Sequence, residues 1–214
     1  GDIGVLAKAV LITCDVYGVD ISGDAVAKAR SRGIISFLCN VDEQPLPFQD
    51  SFFDLVICGE IIEHLFDPDH LLDEVHRVLK PNGAAVFTTP NLAAWYNRIA
   101  LLIGYQPFHT SPSPRFGCVG MPLASPEAHG QHIRVFTFRA LKELLRLHGF
   151  VVLEQYGAYR SLTDPKGSHH PYRSLRLPYM VVGRVLCRRP SLADHLIFVV
   201  AKTSDLGSHR DANS

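Results

Sequence analysis

Continuous apolar runs and segments with helically spaced apolar residues follow one another along the chain, and they predict strands and helices in turn. The predicted strands cover residues 15–20, 34–41, 52–58, 84–89, 150–155 and 195–202. The predicted helices cover residues 5–11, 24–32, 69–79, 92–103, 138–148 and 180–187. Continuously apolar strands separated by helices are typical of an α/β fold, in which helices cover both faces of a parallel sheet.

The domain organisation follows from one long segment that lacks such a pattern. Residues 104–134 are rich in proline, glycine, serine and histidine, and a connection of this length in a compact domain is typical of a lid. We therefore expect a single domain over residues 1–203 with a lid insertion at about 104–134. Residues 204–214 are polar and are predicted to form a flexible tail.

Composition narrows the classes of function. Lysine plus arginine and aspartate plus glutamate number 21 each, so the net charge gives no basis for nucleic-acid binding. The five cysteines are scattered without C-x-x-C spacing, which indicates reduced thiols and a cytoplasmic protein. No apolar run is long enough for a transmembrane segment. The apolar segment 179–187 ends in Arg188 and Arg189, which allows a peripheral membrane contact, although a buried helix gives the same pattern. The oligomeric state stays open.

Ligands of open parallel sheets bind at the carboxyl ends of the strands, which directs attention to the polar residues there. Asp20 ends a predicted strand, where a carboxylate can accept hydrogen bonds from ribose hydroxyls. Gly1 and Gly4 open the first predicted helix, where glycine lets a ligand approach the backbone. Taken singly, the glycines also fit an ordinary turn and Asp20 fits a helix cap. Together they indicate a cofactor that contains a nucleoside.

Several further motifs carry a resemblance to a known family. They are Leu46-Pro47-Phe48, Glu63-His64-Leu65 and Pro81-Asn82-Gly83, within segments 16–22, 42–48, 52–56, 63–65 and 78–83. In order and spacing, these segments resemble the successive motifs of class I S-adenosylmethionine-dependent methyltransferases. Residues 89–91 are similar to the branch that contains ubiquinone-biosynthesis O-methyltransferases. The resemblance implies a Rossmann-like, mostly parallel sheet that closes with a C-terminal antiparallel hairpin.

The resemblance also implies roles for residues near the start of the chain. S-adenosylmethionine would be the cofactor, and Gly4 would face its methionine part. Asp20 would hold the ribose hydroxyls, and Ile21 would pack on the adenine face. The family's alternating glycines match imperfectly here, because either Asp2 takes the middle position or an insertion places Gly1 there.

Two later segments are given cofactor contacts by the same resemblance. Asp42 and the backbone of Glu43 would address the adenine edge. Cys58 and Gly59 would line the cofactor near its sulfur, while the alternative for Cys58 is a small core residue.

The family's first strand should precede the glycines, yet the chain begins at them, so we expect a chain truncated at its N-terminus. That strand is central in the family's sheet, between the strands that end at Asp20 and Cys58. We therefore predict a gap, or a direct non-family pairing, at this position of the sheet.

Transfer of a methyl group from a sulfonium is an in-line displacement, in which the protein aligns the reactants and excludes water. The predicted acceptor is an oxygen or nitrogen atom of a small molecule, and His132, where the lid rejoins the domain, is the candidate base. A surface histidine is the alternative for His132, and His64 is interpreted as an orienting residue. No metal site is predicted, because His109 and His169-His170 lack carboxylates at ligand spacing.

Two other functions stay open from the sequence. The imperfect glycine motif also fits a non-catalytic cofactor-binding domain. A nicotinamide-dependent oxidoreductase shares the predicted fold, although Leu46-Pro47-Phe48 and Glu63-His64 argue against it.

Overall fold

The computed structural model describes residues 14–110, 112–113, 115–116, 119–121, 132–159 and 176–203. The strands are β1 (Tyr17–Asp20), β2 (Ile35–Leu38), β3 (Phe53–Gly59), β4 (Leu79–Pro90), β5 (Phe150–Ala158) and β6 (His195–Lys202). The helices are α1 (Gly23–Ser31), α2 (Pro68–Val78), α3 (Trp95–Leu102), α4 (Phe138–Leu147) and α5 (Arg176–Leu186). Two 3₁₀ turns lie at Ile62–His64 and Pro190–Leu192. The predicted helix 5–11, the tail and much of the lid lie outside the described residues.

The strands form two sheets that together follow the predicted mixed topology. β1 pairs with β2 in parallel, and a second sheet has the order β3-β4-β6-β5. Within the second sheet, β3 and β4 are parallel, while β6 is antiparallel to both β4 and β5. The antiparallel pairing of β5 with β6 is the closing hairpin that the resemblance implies.

The predicted gap lies between the two sheets, because no ladder joins β1 to β3 among the described strands. Aromatic side chains bridge the gap at the strand starts. The ring of Tyr17 on β1 lies 5.7 Å from that of Phe53 on β3, and it also contacts Phe48 and Phe52 at 5.8 Å and 5.3 Å. Since both strands begin beside this cluster, their carboxyl ends face the same side of the molecule.

Local signals explain why the helices begin where they do. Ser22 accepts a hydrogen bond from the Ala25 N–H at the start of α1, and Thr137 accepts one from the Ala140 N–H at the start of α4. Gly149 ends α4 with a φ of 76°, a left-handed conformation in which glycine carries no steric penalty.

Several predicted boundaries differ from the structure, and two of these differences have a clear local cause. The strand predicted over 84–89 begins at Leu79, because Leu79 pairs with Phe53 before a register shift that precedes Ala84. The helix predicted from residue 92 begins at Trp95, because the Asn91 side chain accepts from the Ala93 N–H and holds this stretch in a turn.

A hub at Arg77 holds the loop after β2 against α2. Its guanidinium donates to the Leu46 and Phe48 carbonyls and to the carboxylates of Glu74 and Asp50. The Glu74 carboxylate in turn accepts from the Leu46 N–H at 2.7 Å. These bonds fix residues 46–50 of the loop, just before β3, against the end of α2.

The core lies between the second sheet and helices α2 and α4. Its fully buried side chains include Leu72 and Val75 from α2, Leu141 from α4, and Phe87 and Phe198 from neighbouring strands. None of the helices in the described part of the chain combines the length and the apolar character that are needed to cross a bilayer.

An ion-pair bridge between α2 and the end of α4 gives a stability prediction. His148 places Nε2 2.7 Å from Asp69 Oδ1 and Nδ1 2.9 Å from Asp73 Oδ1. Because both carboxylates are more than half exposed, we expect His148→Ala to lower the free energy of unfolding by only about 0.5–1 kcal/mol in urea denaturation. The same change in an Asp69→Asn/Asp73→Asn background should cost less. An equal cost in both backgrounds would show that the bridge contributes nothing.

Candidate active site

Four strand ends meet at one edge of the second sheet. β3 ends at Gly59 beside Thr88 of β4, and Pro90 at the end of β4 faces His195 at the start of β6. Ala158 at the end of β5 also faces His195. The polar residues that follow or begin these strands therefore share one face of the molecule, where ligands of such sheets bind.

Asp20 lies at the tip of β1, on the same side of the molecule. Its Oδ1 accepts from the Ser22 N–H at 2.8 Å, which orients the carboxylate at the start of α1. The neighbouring Ile21 side chain is 68% exposed. An oriented carboxylate beside an exposed apolar side chain fits a ribose diol next to a flat base.

Asp42 and Glu43, the residues predicted to contact adenine, both form hydrogen bonds within the protein. The two oxygens of Asp42 accept from the N–H groups of Phe66 at 3.0 Å and Asp67 at 2.7 Å. The Glu43 N–H donates to the Asn40 carbonyl at 3.1 Å. This arrangement ties the loop after β2 to the start of α2, and an adenine contact at either residue stays a prediction.

Cys58 and Gly59 occupy different environments. The Cys58 side chain is buried in the core, and burial raises its thiol pKa to about 12. A ligand could therefore contact Cys58 only through its main chain. The Cys58 side chain is a small core residue, as in the alternative interpretation of the sequence. Gly59 is partly exposed at the strand end. Gly1 and Gly4 lie outside the described residues.

Glu60, directly after β3, has an unusual backbone. Its φ is 52°, a left-handed conformation that non-glycine residues rarely adopt. The Glu60 N–H donates to the Thr88 carbonyl at 3.0 Å, and Thr88 Oγ1 donates to Glu60 Oε1 at 2.8 Å. Burial raises the pKa of Glu60, but the bonds from His195 and Thr88 outweigh it and hold the pKa below its ordinary value. The structure thus presents an ionised carboxylate in a fixed orientation.

Glu63 is fully buried in the 3₁₀ turn that follows. Its Oε2 accepts from Thr89 Oγ1 at 3.0 Å, whereas Oε1 has no hydrogen-bond partner and lies 3.9 Å from His64 Nε2. Burial raises the pKa of Glu63. The Glu63 carbonyl accepts from the N–H groups of Ile133 and Arg134, which ties the segment after the lid to this turn.

His132 is held beside that turn. Its Nδ1 lies 2.9 Å from the His109 carbonyl oxygen, and its ring centre lies 4.8 Å from that of His64. Burial lowers the pKa of His132, which favours the neutral imidazole. Because a carbonyl only accepts, Nδ1 carries the proton and Nε2 is left as the proton acceptor. His132 also lines a cavity of about 240 Å³ with Leu92 and Gln106.

Glu63, His64 and His132 could together hold a divalent cation, because one ligand atom from each lies within 4.8 Å of the others. No pattern in the sequence indicated this grouping. Spacing along the chain relates only residues of one element, and His132 reaches the turn through the return of the lid.

Part of the sequence matches a known protein family. A family model described as "Methyltransferase domain" matches residues 3–87. Residues 3–87 are thus similar to the methyltransferase domains of S-adenosylmethionine-dependent enzymes. S-adenosylmethionine is therefore the cofactor that this methyltransferase domain implies.

Curated relatives of the chain include a probable S-adenosylmethionine-dependent methyltransferase of Mycobacterium tuberculosis, 37% identical over 109 residues, which are 47% of this chain and 37% of the relative. The ubiquinone biosynthesis O-methyltransferase of Idiomarina loihiensis is 29% identical over 124 residues, 53% of this chain and 51% of the relative. The chain spans less than half the length of the first curated relatives, between 37% and 46%.

Solved structures share the fold of this chain. A putative methyltransferase in complex with the Trm112 activator of Haloferax volcanii aligns with a TM-score of 0.58 and 18% identity, over 93% of this chain and 78% of that one. A possible histamine N-methyltransferase of Thermotoga maritima aligns with a TM-score of 0.55 and 18% identity, over 94% and 79% of the two chains. These likenesses concern the fold alone.

The described residues of the chain fit the nucleoside part of S-adenosylmethionine. The oriented carboxylate of Asp20 suits the ribose hydroxyls, and the exposed Ile21 offers an apolar surface beside it. Gly59 lies at the same side, where the absence of a Cβ lets a ligand approach. The glycines predicted to face the methionine part lie outside the described residues.

Proposed function

We propose that the protein transfers a methyl group from S-adenosylmethionine to an oxygen or nitrogen atom of a small-molecule acceptor by in-line displacement. The observation that supports this most is the position of a neutral, oriented imidazole at the cofactor side of a methyltransferase fold. The His109 carbonyl fixes the His132 ring through Nδ1, and the ring lies beside the turn that follows the end of β3 at Gly59.

The cofactor, when bound, supplies a methyl group on a sulfonium centre with a good leaving group. Asp20 would hold the ribose, Ile21 would cover one face of the adenine, and Gly59 would allow close approach at the end of β3. These contacts would bind and orient the reactant, which is the main contribution that a protein makes to such a transfer.

His132 would accept the proton of the acceptor hydroxyl or amine through Nε2. The His109 carbonyl holds the tautomer that this step requires. After transfer, the imidazolium at His132 would lie near the carboxylate of Glu60, which favours its charged form. A general base of this kind raises a rate by roughly 10²–10⁴-fold.

The proposal can be tested by incubating the protein with S-adenosylmethionine labelled in the methyl group and with panels of hydroxyl and amine acceptors. Labelled product is expected from at least one panel. Cofactor binding without product from any acceptor would favour the non-catalytic alternative.

Metal removal gives a further prediction. The proposed transfer needs no metal, and the burial that raises the pKa of Glu63 opposes the ionised carboxylate that a cation binds. We therefore expect the same melting temperature in EDTA, Mg²⁺ or Mn²⁺, for the wild type and for Glu63→Gln. A cation-dependent rise in melting temperature that Glu63→Gln abolishes would contradict this and would assign Glu63, His64 and His132 to a metal site.

A further inference from the structure

A second cavity opens at the sheet edge, at the ends of three strands. It measures about 440 Å³ and is lined by Glu60, Ala158, Tyr159 and His195. None of these residues receives a role from the sequence motifs or from the proposed cofactor contacts. The cavity combines one carboxylate and one imidazole with the side chains of a tyrosine and an alanine.

The carboxylate in this cavity belongs to Glu60, whose backbone is strained. Glu60 has a φ of 52°, and Thr88 binds both its N–H and its Oε1. Strained non-glycine residues persist where the surrounding structure fixes them, and they are concentrated at functional sites. An exposed carboxylate in a relaxed loop would need no such support.

His195 faces this carboxylate across the cavity. Its Nε2 lies 3.4 Å from Glu60 Oε2, and its side chain is only 18% exposed. The two groups can form an ion pair with no net charge, so the cavity offers both a donor and acceptors. Each carboxylate oxygen has two lone pairs, so Oε2 can accept a second hydrogen bond besides that from His195.

The lid approaches the same pair. The ring of His109 lies 5.9 Å from that of His195, and its Nε2 lies 3.3 Å from the Tyr96 hydroxyl. Tyr96 also donates to the buried Asp194, next to His195 in the chain. Because the His109 carbonyl also contacts His132, the candidate base and the Glu60–His195 pair adjoin one residue of the lid.

We propose that Glu60 and His195 bind the methyl acceptor, and that the acceptor is a neutral ring with neighbouring hydroxyl groups. This inference rests on the proposed function. A hydroxyl can donate to the Glu60 carboxylate and can take the Nε2–H of His195 in place of Oε2, and the second hydroxyl would then be available to His132. The aromatic ring of Tyr159 suits the apolar face of such a ring. The Glu60 carboxylate would repel an anionic acceptor. A cationic amine would compete with His195 for that carboxylate.

Neighbouring hydroxyls occur on both aromatic rings and sugar rings, so the experiment uses catechol and methyl glucoside as probes and benzylamine as the cationic comparison. Dissociation constants are measured by saturation-transfer NMR at saturating S-adenosylhomocysteine. The variants are Glu60→Gln and His195→Gln, with Glu154→Gln as an exposed carboxylate control on β5. Thermal melting checks that each variant folds.

At least one of the two diol probes is expected to bind more tightly than benzylamine. Glu60→Gln and His195→Gln should each weaken that probe about tenfold, while Glu154→Gln should not. The affinity for S-adenosylhomocysteine should be the same in all four proteins. Binding of catechol alone would assign an aromatic acceptor, and binding of methyl glucoside alone would assign a sugar.

Two results would overturn the inference without touching the proposed function. They are tighter binding of benzylamine than of either diol, and diol affinities that neither substitution changes. Failure of both diols to bind, with S-adenosylhomocysteine bound, would also overturn it. Failure of S-adenosylhomocysteine itself to bind would instead count against the proposed function.

Discussion

Replacement of His132 by asparagine is expected to lower the rate of methyl transfer roughly 10²–10⁴-fold, because the transfer would lose its general base. Asparagine can still donate to the His109 carbonyl but has no nitrogen that accepts a proton. The measurement is the initial rate of S-adenosylhomocysteine formation with an acceptor that the wild type methylates. The affinity for S-adenosylhomocysteine should not change, since the proposed function gives His132 no contact with the cofactor.

The pH dependence of the methyl-transfer rate tests the same role of His132. Burial lowers the pKa of His132 below 6.5, so its base form persists under mildly acidic conditions. The wild-type rate should therefore fall only at a lower pH than that at which an ordinary imidazole becomes protonated. His148→Asn, a substitution in the ion-pair bridge on the surface, should leave this profile unchanged. An unaltered rate in His132→Asn would remove His132 from the reaction.

Substitution of Asp20 by alanine is expected to weaken binding of S-adenosylhomocysteine by about 1–3 kcal/mol, the usual loss for hydrogen bonds to a charged group. The carboxylate is oriented by the Ser22 N–H and has a further oxygen available for the ribose. Isothermal titration calorimetry measures the loss directly.

Asp24→Ala is the matched control for Asp20→Ala. Asp24 is an exposed carboxylate in the first turn of α1, so it lies four residues from Asp20 and has a similar electrostatic effect. It should leave the affinity unchanged. Equal affinities for wild type and Asp20→Ala would place the ribose elsewhere.

Much of the fold follows from local patterns in the sequence. The strand predicted over 195–202 matches β6, and the helix predicted over 138–148 ends one residue beyond α4. Both elements have strong periodicity and clear boundary residues, such as Thr137 and Gly149. The boundary of β4 failed because Lys80–Gly83 looks like a helix stop, yet this stretch forms an irregularity inside a strand that has already begun.

The gap in the sheet was predictable because the resemblance specifies the order of strands. The face of β3 on which the Cys58 side chain lies was not predictable. β3 is apolar on both faces, and its sequence does not indicate which face packs against the core. The structure decides this by the packing of Cys58 against α2 and its neighbours.

The polar groups of the site were predictable only one at a time. The sequence indicated Asp20 because it ends a predicted strand. It indicated His132 because this residue lies where the lid rejoins the domain. The contacts between His132 and His64, and between Glu60 and His195, join segments that are distant in the chain. No local pattern encodes such pairs, since they depend on how the lid returns and on which strand ends share an edge.

The most direct test of the account is calorimetric titration of the protein with S-adenosylhomocysteine and, separately, with nicotinamide adenine dinucleotide. The account predicts saturable binding of S-adenosylhomocysteine that Asp20→Ala weakens, and no binding of the dinucleotide. Binding of the dinucleotide in preference to S-adenosylhomocysteine would contradict the assignment of this sheet edge to a methyl donor.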